Sequence, residues 1–248
     1  MRVEGKVAIV TGARQGIGES VAVALAREGA AVVMISRSIS PDSPVVEKVK
    51  DCGGRYFTMN VDVGDHQQVQ KMVDETIAAF GKVDILFNNA GITRPAMLWK
   101  MTPEQWDEVI RINLTGTFNC MRSVAKQMIE QKSGSIINVT SSAGLVGTIG
   151  QVNYTAAKGG VYALTKSAAK ELAKYGIRVN TIAPMAETEM TKKISSDPKF
   201  SAKYLERIPL GRFASPDEIS PTVVFLSSDE SSYITGQIIC VDGGMVMM

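Results

Sequence analysis

Short apolar runs alternate with amphipathic stretches along most of this 248-residue chain. The apolar runs are rich in β-branched residues and have the length of strands, which is typical of strands buried on both faces. They lie at 6–10, 30–36, 55–61, 83–89, 134–141, 177–184 and 236–244, and helical patterns lie between them at 19–29, 42–52, 66–80, 102–130, 151–175 and 215–228. Strands that alternate with helices predict βαβ units. We therefore expect an α/β fold, a doubly wound sheet of about seven parallel strands with helices on both faces.

Two capping boxes predict where two of these helices begin. In TPEQ at 102–105, the threonine is the expected N-cap, the proline takes the first helical position and the glutamine reaches back to the cap. SPDE at 215–218 repeats the pattern. Only the segment 185–214 lacks clear alternation, and we find no linker-like tract or internal repeat. The expected organisation is one domain over residues 1–248, with ligands at the carboxyl ends of the strands.

The composition argues against several classes of protein. Hydrophobic residues make up 45% of the chain and charged residues 21%, as in ordinary globular proteins. The net charge is +2, and no run of like charges is long enough to follow a nucleic-acid backbone. No stretch approaches the roughly 18 apolar residues of a membrane span. The three cysteines are scattered and lack CxxC spacing, so we expect no disulfides, no metal site and a reducing, cytoplasmic location.

A glycine-rich turn, TGARQGIG at 11–18, separates the first strand from the first helix. Gly12 permits a tight turn, Gly16 lets the backbone approach a pyrophosphate, and Gly18 allows the helix and strand to pack closely. Many glycine-rich turns are only turns, but this one lies between a buried strand and a helix, whose N-terminal amides would face the phosphates. The spacing is GxxxGxG without a following Gly-Lys-Ser/Thr, which favours a Rossmann-type dinucleotide site over a P-loop.

The end of the second strand, ISRS at 35–38, indicates which dinucleotide is bound. A free ribose 2′-hydroxyl usually meets an Asp or Glu at this point, whereas Ser36 and Arg37 stand here. An arginine suits a 2′-phosphate through a charge-assisted contact, and Arg14 of the glycine turn can assist it. The alternative is that Arg37 is merely solvated at a strand end. We expect NADPH/NADP+, with NADH as the alternative.

The stretch YTAAK at 154–158 brings a phenol and an ammonium together. In a helix, Tyr154 and Lys158 lie one turn apart on the same face. They are either an ordinary amphipathic pair or an acid and the cation that tunes it. The motifs elsewhere in the chain bear on this choice.

Several separated motifs stand in the order and spacing of one family. TGARQGIG, NNAG at 88–91, Asn113, Ser141, YTAAK and the closing VDGG resemble those of the short-chain dehydrogenases/reductases over essentially the whole chain. Within that family, INVTSSAGLVGTIGQVNYTAAKGG and RIPLGRFASPDEI are most similar to the 3-oxoacyl-(acyl-carrier-protein) reductases. The resemblance implies a homotetrameric, NADP(H)-dependent enzyme of fatty acid biosynthesis. Its substrate would be a 3-oxoacyl thioester of acyl carrier protein or CoA.

The resemblance also implies catalytic roles. Tyr154 would be the general acid that protonates the carbonyl oxygen, and Lys158 would lower its pKa and hold the nicotinamide ribose. Ser141 would hydrogen-bond the developing oxyanion, with Ser142 as the competing candidate. Asn113 resembles the asparagine that holds a water in the proton relay through Lys158, and a purely structural asparagine is the alternative.

Cofactor contacts carry over from the family in the same way. Asp62 resembles the residue that contacts the adenine amino group, with an ordinary turn aspartate as the alternative, and Asn88 resembles a sheet-stabilising asparagine. Thr188 resembles the threonine that binds the nicotinamide carboxamide or the phosphates. The full expected set is Gly12, Arg14, Gln15, Gly16, Ile17, Gly18, Ser36, Arg37, Asp62, Val63, Asn89, Ala90, Gly91, Tyr154, Lys158, Pro184 and Thr188.

Two positions depart from the family pattern. The family usually has Pro-Gly after the sixth strand, whereas Pro184 is followed here by Met185, and the segment to Thr188 is one residue short. This loop lines the nicotinamide in the family, so the role of Thr188 depends on its path. Gln15 stands where NADPH-preferring relatives often have arginine, which leaves more of the cofactor choice to Arg37.

Two other functions stay open. A dehydrogenase of the same family acting on another alcohol or ketone, such as a sugar, polyol or cyclic alcohol, would use the same residues. The scarcity of charged residues in 142–153 favours a ketone with an apolar tail. A non-catalytic dinucleotide-binding protein would be expected to lose the tyrosine or the lysine, and this chain has both.

Overall fold

The computed structural model describes residues 1–192 and 197–247. Its strands are β1 (Val7–Thr11), β2 (Ala31–Ser36), β3 (Tyr56–Asn60), β4 (Ile85–Asn88), β5 (Gly134–Val139), β6 (Ile177–Pro184) and β7 (Ile238–Val241). Within these described ranges the seven strands form one parallel sheet in the order β3-β2-β1-β4-β5-β6-β7. The predicted fold class is therefore confirmed. The order reverses between β1 and β4, so their carboxyl ends flank the crevice where such sheets bind ligands.

Helices cover both faces of the sheet. They are α1 (Gly16–Arg27), α2 (Pro44–Lys50), α3 (His66–Phe80), α4 (Pro103–Ile110), α5 (Gly116–Gln131), α6 (Ser142–Val146), α7 (Val152–Leu172), α8 (Pro198–Leu205) and α9 (Ser220–Ser227). On one face α1 packs against α2 and α9, and on the other α5 packs against α3 and α7. In the described part of the chain, no helix combines the length and apolarity needed to cross a membrane.

The sheet is buried between two apolar clusters. In β1, Ala8 and Val10 pack with residues of α1 and α9, whereas Ile9 packs with residues of α3 and α5. All three side chains are fully buried. Because successive side chains of a strand point to opposite faces, a strand covered on both faces needs an unbroken apolar sequence. This explains the apolar runs in the sequence.

A buried polar chain ties the central strands to α7. Asn88 Nδ2 donates to Asn138 Oδ1 at 2.9 Å, and Asn138 Nδ2 donates to Thr165 Oγ1 at 2.9 Å. The hydroxyls of Thr165 and Thr181 are 2.6 Å apart. All four side chains are buried, so each polar atom needs such a partner. These hydrogen bonds fix α7, the helix that carries YTAAK, against the sheet. They place Asn88 between two strands, as its resemblance to a sheet-stabilising asparagine implies.

Both predicted capping boxes are present. Thr102 accepts from the backbone of Gln105 and the Gln105 side chain accepts from the backbone of Thr102, which begins α4. Ser215 and Glu218 form the second box. That box opens a 3-10 turn at Pro216–Glu218, and α9 follows it.

The elements differ from expectation at several places. The first helix begins at Gly16, inside the glycine turn, three residues before the helical pattern starts. The helix expected over 102–130 contains a π-helical turn at Arg111–Thr115. The segment 185–214, whose sequence lacks clear alternation, contains α8, and its residues 193–196 lie outside the described residues. The short helix α6 was not expected, because its five residues span little more than one turn and show no periodicity.

Candidate active site

The carboxyl ends of the strands open into a cleft of about 470 Å³. Every residue of the expected cofactor set except Gly18 lines it, and so does Ser141. Asn113 does not line the cleft. The residues that sequence reasoning missed there include Ser38, Ile92, Thr140, Met185, Met190 and Thr191. The structure thus gathers residues from eight separated segments at the place where ligands of doubly wound sheets bind.

The glycine turn has the close packing that its spacing predicts. Gly12 and Gly16 have φ angles of 66° and 62°, which favour glycine. A Cβ on Gly18 would lie 2.2 Å from the carbonyl oxygen of Gly12, so no larger residue fits there. Asn89 Nδ2 donates to the carbonyl oxygens of Thr11 and Gly12 at 3.1 and 3.2 Å, which holds the turn against the end of β4. The residues present therefore fit a pyrophosphate at the N-terminus of α1.

Two arginines, Arg14 and Arg37, line the cleft. Arg14 Nη1 donates to Ser38 Oγ at 2.9 Å, and Arg37 is exposed beside them. Ser36, at the end of β2, also lines the cleft. Ser38 was missed because a serine at a strand end carries no signal of its own, although it stands next to Arg37. Two arginines and two hydroxyls form a donor set suited to a phosphate.

Asp62 is held in place by its neighbours. Its Oδ1 accepts from the Gly64 backbone at 2.9 Å, and its Oδ2 accepts from Arg111 Nη1 at 2.9 Å. Val63 packs beside it and its carbonyl accepts from Asn119 Nδ2 at 3.0 Å. The carboxylate is therefore oriented at the rim of the cleft, where a base amino group can reach its remaining lone pairs.

Tyr154, Lys158 and Ser141 meet at the centre of the cleft. Tyr154 and Lys158 lie in the first two turns of α7, and the Lys158 ammonium is 5.8 Å from the centre of the Tyr154 ring. Ser141 lies just after β5, and its hydroxyl lies close enough to the Tyr154 phenol to lower the pKa of that phenol. Ser142, the competing candidate, is the first residue of α6 and does not line the cleft. The geometry favours Ser141.

Burial shifts the pKa values of the two ionisable groups in opposite directions. Burial raises the pKa of Tyr154, and the interaction with the Ser141 hydroxyl partly opposes this rise. Burial lowers the pKa of Lys158 to about 8. The Lys158 Nζ donates to the carbonyl oxygen of Val139 at 2.7 Å, which anchors it below the tyrosine. The phenol is therefore protonated at pH 7 and can donate a proton, but its pKa lies above the ordinary tyrosine value, so the lowering by Lys158 that the family resemblance implies is not seen in this structure.

Asn113 acts as a clamp in this structure. Its Oδ1 accepts from the backbone N–H of Ile92 at 2.8 Å, and its Nδ2 donates to the carbonyl of Ile92 at 2.9 Å. The side chain is fully buried within the π-helical turn. It therefore fixes the path of the chain after β4, where Gly91 and Ile92 line the cleft. Its role in a proton relay stays a prediction.

The shortened loop after β6 follows a defined path. Met185 N donates to the Val241 carbonyl at 3.0 Å and Glu187 N donates to the Ala214 carbonyl at 2.8 Å. Thr188 then turns towards the glycine turn, where its Cγ2 would lie 3.4 Å from a Cβ on Gly16. Thr188 is thus placed beside the expected pyrophosphate site, which favours contact with phosphates over contact with the carboxamide.

Chain-wide comparisons agree with this site. A family model described as "Enoyl-(Acyl carrier protein) reductase" matches residues 12–246. The 3-oxoacyl-[acyl-carrier-protein] reductase FabG of Thermotoga maritima is 45% identical over 248 residues, which cover 100% of both chains. The protein of the same name from Staphylococcus epidermidis is 48% identical over 98% of this chain and 99% of its own. The crystal structure of gox2181 matches with a TM-score of 0.95 and 36% identity, over 98% of this chain and 96% of that one. The chain belongs to the short-chain dehydrogenase/reductase family.

Proposed function

We propose that this chain is a cytoplasmic NADPH-dependent reductase that converts a 3-oxoacyl thioester, carried by acyl carrier protein or CoA, to the 3-hydroxyacyl form. The observation that carries the proposal is the meeting of Ser141, Tyr154 and Lys158 beside a glycine turn fitted for a pyrophosphate. Relatives named as 3-oxoacyl-[acyl-carrier-protein] reductases, 45% and 48% identical over almost the whole chain, support the substrate class.

Each residue of the site has a defined task in this reaction. A bound NADPH supplies the hydride. Ser141 donates a hydrogen bond to the substrate carbonyl oxygen and holds it within reach of the phenol. Tyr154 gives its proton to that oxygen as negative charge develops. Lys158 stabilises the phenolate that remains, because its ammonium lies one helical turn away.

The choice of NADPH rests on Arg14 and Arg37. Both arginines line the cleft, and residues 35–38 at the end of β2 include no carboxylate to accept from a ribose 2′-hydroxyl. A 2′-phosphate bound there would receive charge-assisted hydrogen bonds from them and from Ser38. Asp62 would contact the adenine of a bound NADPH, Thr188 would contact its phosphates, and the backbone of Asn89, Ala90 and Gly91 would lie beside the adenosine ribose.

An apolar rim near the catalytic residues supports a substrate with an acyl tail. Val146 and Ile149 lie on the segment between Ser141 and Tyr154, and Ile149 is 87% exposed. Leu98 and Trp99 are also exposed, on a segment that is tied to this one by the bond from Ala96 N to the Gly150 carbonyl at 2.9 Å. Clustered exposed apolar side chains mark binding sites. A polyol would gain nothing from such a rim, whereas an acyl chain would.

The first experiment measures nicotinamide absorbance with purified protein, acetoacetyl-CoA, and either NADPH or NADH. We expect rapid oxidation of NADPH. Tyr154→Phe should lower kcat by about 10²- to 10⁴-fold, because the proton donor is lost. Arg37→Ala should raise the KM for NADPH by about tenfold while the KM for NADH stays the same.

Other outcomes of that experiment separate the alternatives. Oxidation with crotonyl-CoA but not acetoacetyl-CoA would make the chain an enoyl reductase, the activity in the name of the matching family model. Turnover of sugars or cyclic alcohols alone would assign another dehydrogenase activity. Cofactor binding without turnover of any substrate, together with full biological effect of Tyr154→Phe, would identify a non-catalytic dinucleotide-binding protein.

A further inference from the structure

Ser141 and Tyr154 belong to two different helices, and their separation depends on how those helices pack. Ser141 is the N-cap of α6, where its Oγ accepts from the Ala143 backbone at 3.2 Å. Tyr154 lies in the first turn of α7. The two helices are in direct contact. A hydrogen bond between the two hydroxyls can form only when α6 sits at one particular distance from α7.

That distance is set where Gly144 meets the backbone of α7. A Cβ on Gly144 would lie 2.8 Å from both the carbonyl carbon and the Cβ of Lys158, and 2.9 Å from the backbone nitrogen of Gly159. These atoms belong mainly to helix backbone and cannot rotate away. Gly144 does not have a positive φ angle, so its backbone conformation does not require glycine. The lack of a side chain at position 144 is therefore needed only for the close approach of α6 to the backbone of α7.

A neighbouring contact holds the same two segments together. Thr140 Oγ1 donates to the carbonyl oxygen of Lys158 at 2.7 Å. Residues 140–144 therefore dock on the backbone at Lys158–Gly159 through one hydrogen bond and one glycine. Gly159, on the other side of the contact, is less crowded, because its Cβ would lie 3.4 Å from the Gly144 carbonyl oxygen. Ordinary van der Waals contact is possible at that distance.

We propose that Gly144 is a positioning residue for the reaction: its missing side chain sets the approach of α6 to α7 and thereby the position of the Ser141 hydroxyl relative to the Tyr154 phenol. The inference rests on the proposed function. A methyl group at position 144 has to push α6 away from Lys158. Ser141 caps the same short helix three residues earlier, so its hydroxyl moves with the helix.

The displacement has a consequence for proton transfer. The interaction of the Ser141 hydroxyl with the phenol lowers the pKa of Tyr154 against the larger effect of burial. Its loss leaves burial unopposed and raises that pKa further. The phenol then stays protonated to higher pH, but it is a weaker acid and the substrate oxygen is less well placed. Both effects lower kcat.

The test compares Gly144→Ala with Gly159→Ala, which adds the same methyl on the facing side of the contact. We expect Gly144→Ala to lower kcat about ten- to hundredfold and to move the alkaline limb of the kcat–pH profile to higher pH, with the Kd for NADPH within twofold of wild type. Gly159→Ala should have the kcat, the kcat–pH profile and the Kd for NADPH of the wild type. In a Ser141→Ala background, Gly144→Ala should lower kcat by less than twofold more, because the contact it disturbs is already gone.

A Gly144→Ala enzyme with a wild-type kcat and pH profile would overturn the proposal. Equal loss in both glycine variants would overturn it too, as would a full additional loss in the Ser141→Ala background. If Gly144→Ala does not fold, Thr140→Val tests the same docking, and an unchanged pH profile in that variant refutes it. If the wild type reduces no carbonyl substrate, the proposed function fails. Crystal structures of the wild type and Gly144→Ala then decide the inference separately, since an unchanged distance between the Ser141 and Tyr154 hydroxyls contradicts it.

Discussion

Lys158 shows how the site uses a side chain that costs the fold stability. The residue is 3% exposed, and burial lowers its pKa to about 8. At neutral pH most of the molecules still hold an ammonium there, next to Tyr154. A charge taken out of water destabilises the folded state unless it is well compensated. The carbonyl of Val139 is a neutral acceptor and compensates only in part. The proposed chemistry explains why a lysine occupies this position.

This burial predicts a pH dependence of stability. Because the folded pKa of Lys158 is about 8 and the unfolded value is 10.5, the unfolded chain binds more protons between these values. Stability therefore rises with pH across that window. Relative to Lys158→Met, the wild type should gain about 2 kcal/mol in free energy of unfolding between pH 7 and pH 9.5. Guanidinium unfolding of both cofactor-free proteins across this range measures the difference. A gap that does not change with pH would show that the ammonium is not disfavoured by burial.

The π-helical turn Arg111–Thr115 has a role at the scale of elements. It interrupts the helix formed by α4 and α5, and it holds Asn113 against the backbone of Ile92 through two hydrogen bonds. Residues 91 and 92 line the cleft, so this clamp links a helix to the cofactor site. π-turns are rare and occur mostly at functional sites. The clamp suggests that part of the role of Asn113 is to hold that loop in place.

Removing the Asn113 side chain should lower the free energy of unfolding more than removing a single buried hydrogen bond does. Asn113→Ala leaves the N–H and carbonyl of Ile92 without their partner and should lower the free energy of unfolding by about 2–4 kcal/mol. Asn119→Ala, also buried on this helix, loses one bond to the Val63 carbonyl and should cost about half as much. Chemical unfolding gives the two values, and amide hydrogen exchange at Ile92 should accelerate in the first variant alone. Equal losses, or an Ile92 amide that stays protected, would contradict the clamp.

The elements that sequence predicted best are those whose signals are local. Apolar runs predicted the strands because both faces of the sheet are buried, and TPEQ predicted the start of α4 because a capping box is a contact between neighbours in sequence. The π-turn at Asn113 has no local signature, since it depends on Ile92, 21 residues away. Likewise, nothing in the sequence distinguishes Gly144 from other glycines. Its contact with α7 can be recognised only when the positions of both helices are known.

At the scale of the molecule, apolar side chains remain exposed on the described surface of α4 and α5. Trp106 and Phe118 are both exposed, on two helices joined end to end by the π-turn. Twelve residues of a regular α-helix would put these positions about 120° apart around the axis. Because a π-turn takes up one extra residue, the separation falls to about 20° and the two rings share a face. A shared apolar face on two exposed helices is suited to pairing with a second copy of the chain.

We therefore expect the chain to form a homo-oligomer, the tetramer that family resemblance implies, with this face in one of its interfaces. Trp106→Glu and Phe118→Glu should each reduce the mass measured by sedimentation, because a charge in an apolar interface is left without a partner. Tyr233→Glu is the control, since Tyr233 is fully exposed on the segment before β7 and belongs to neither α4 nor α5. Its mass should equal that of the wild type. A wild type that sediments as a monomer, or a Phe118→Glu variant with unchanged mass, would show that α4 and α5 do not form the interface.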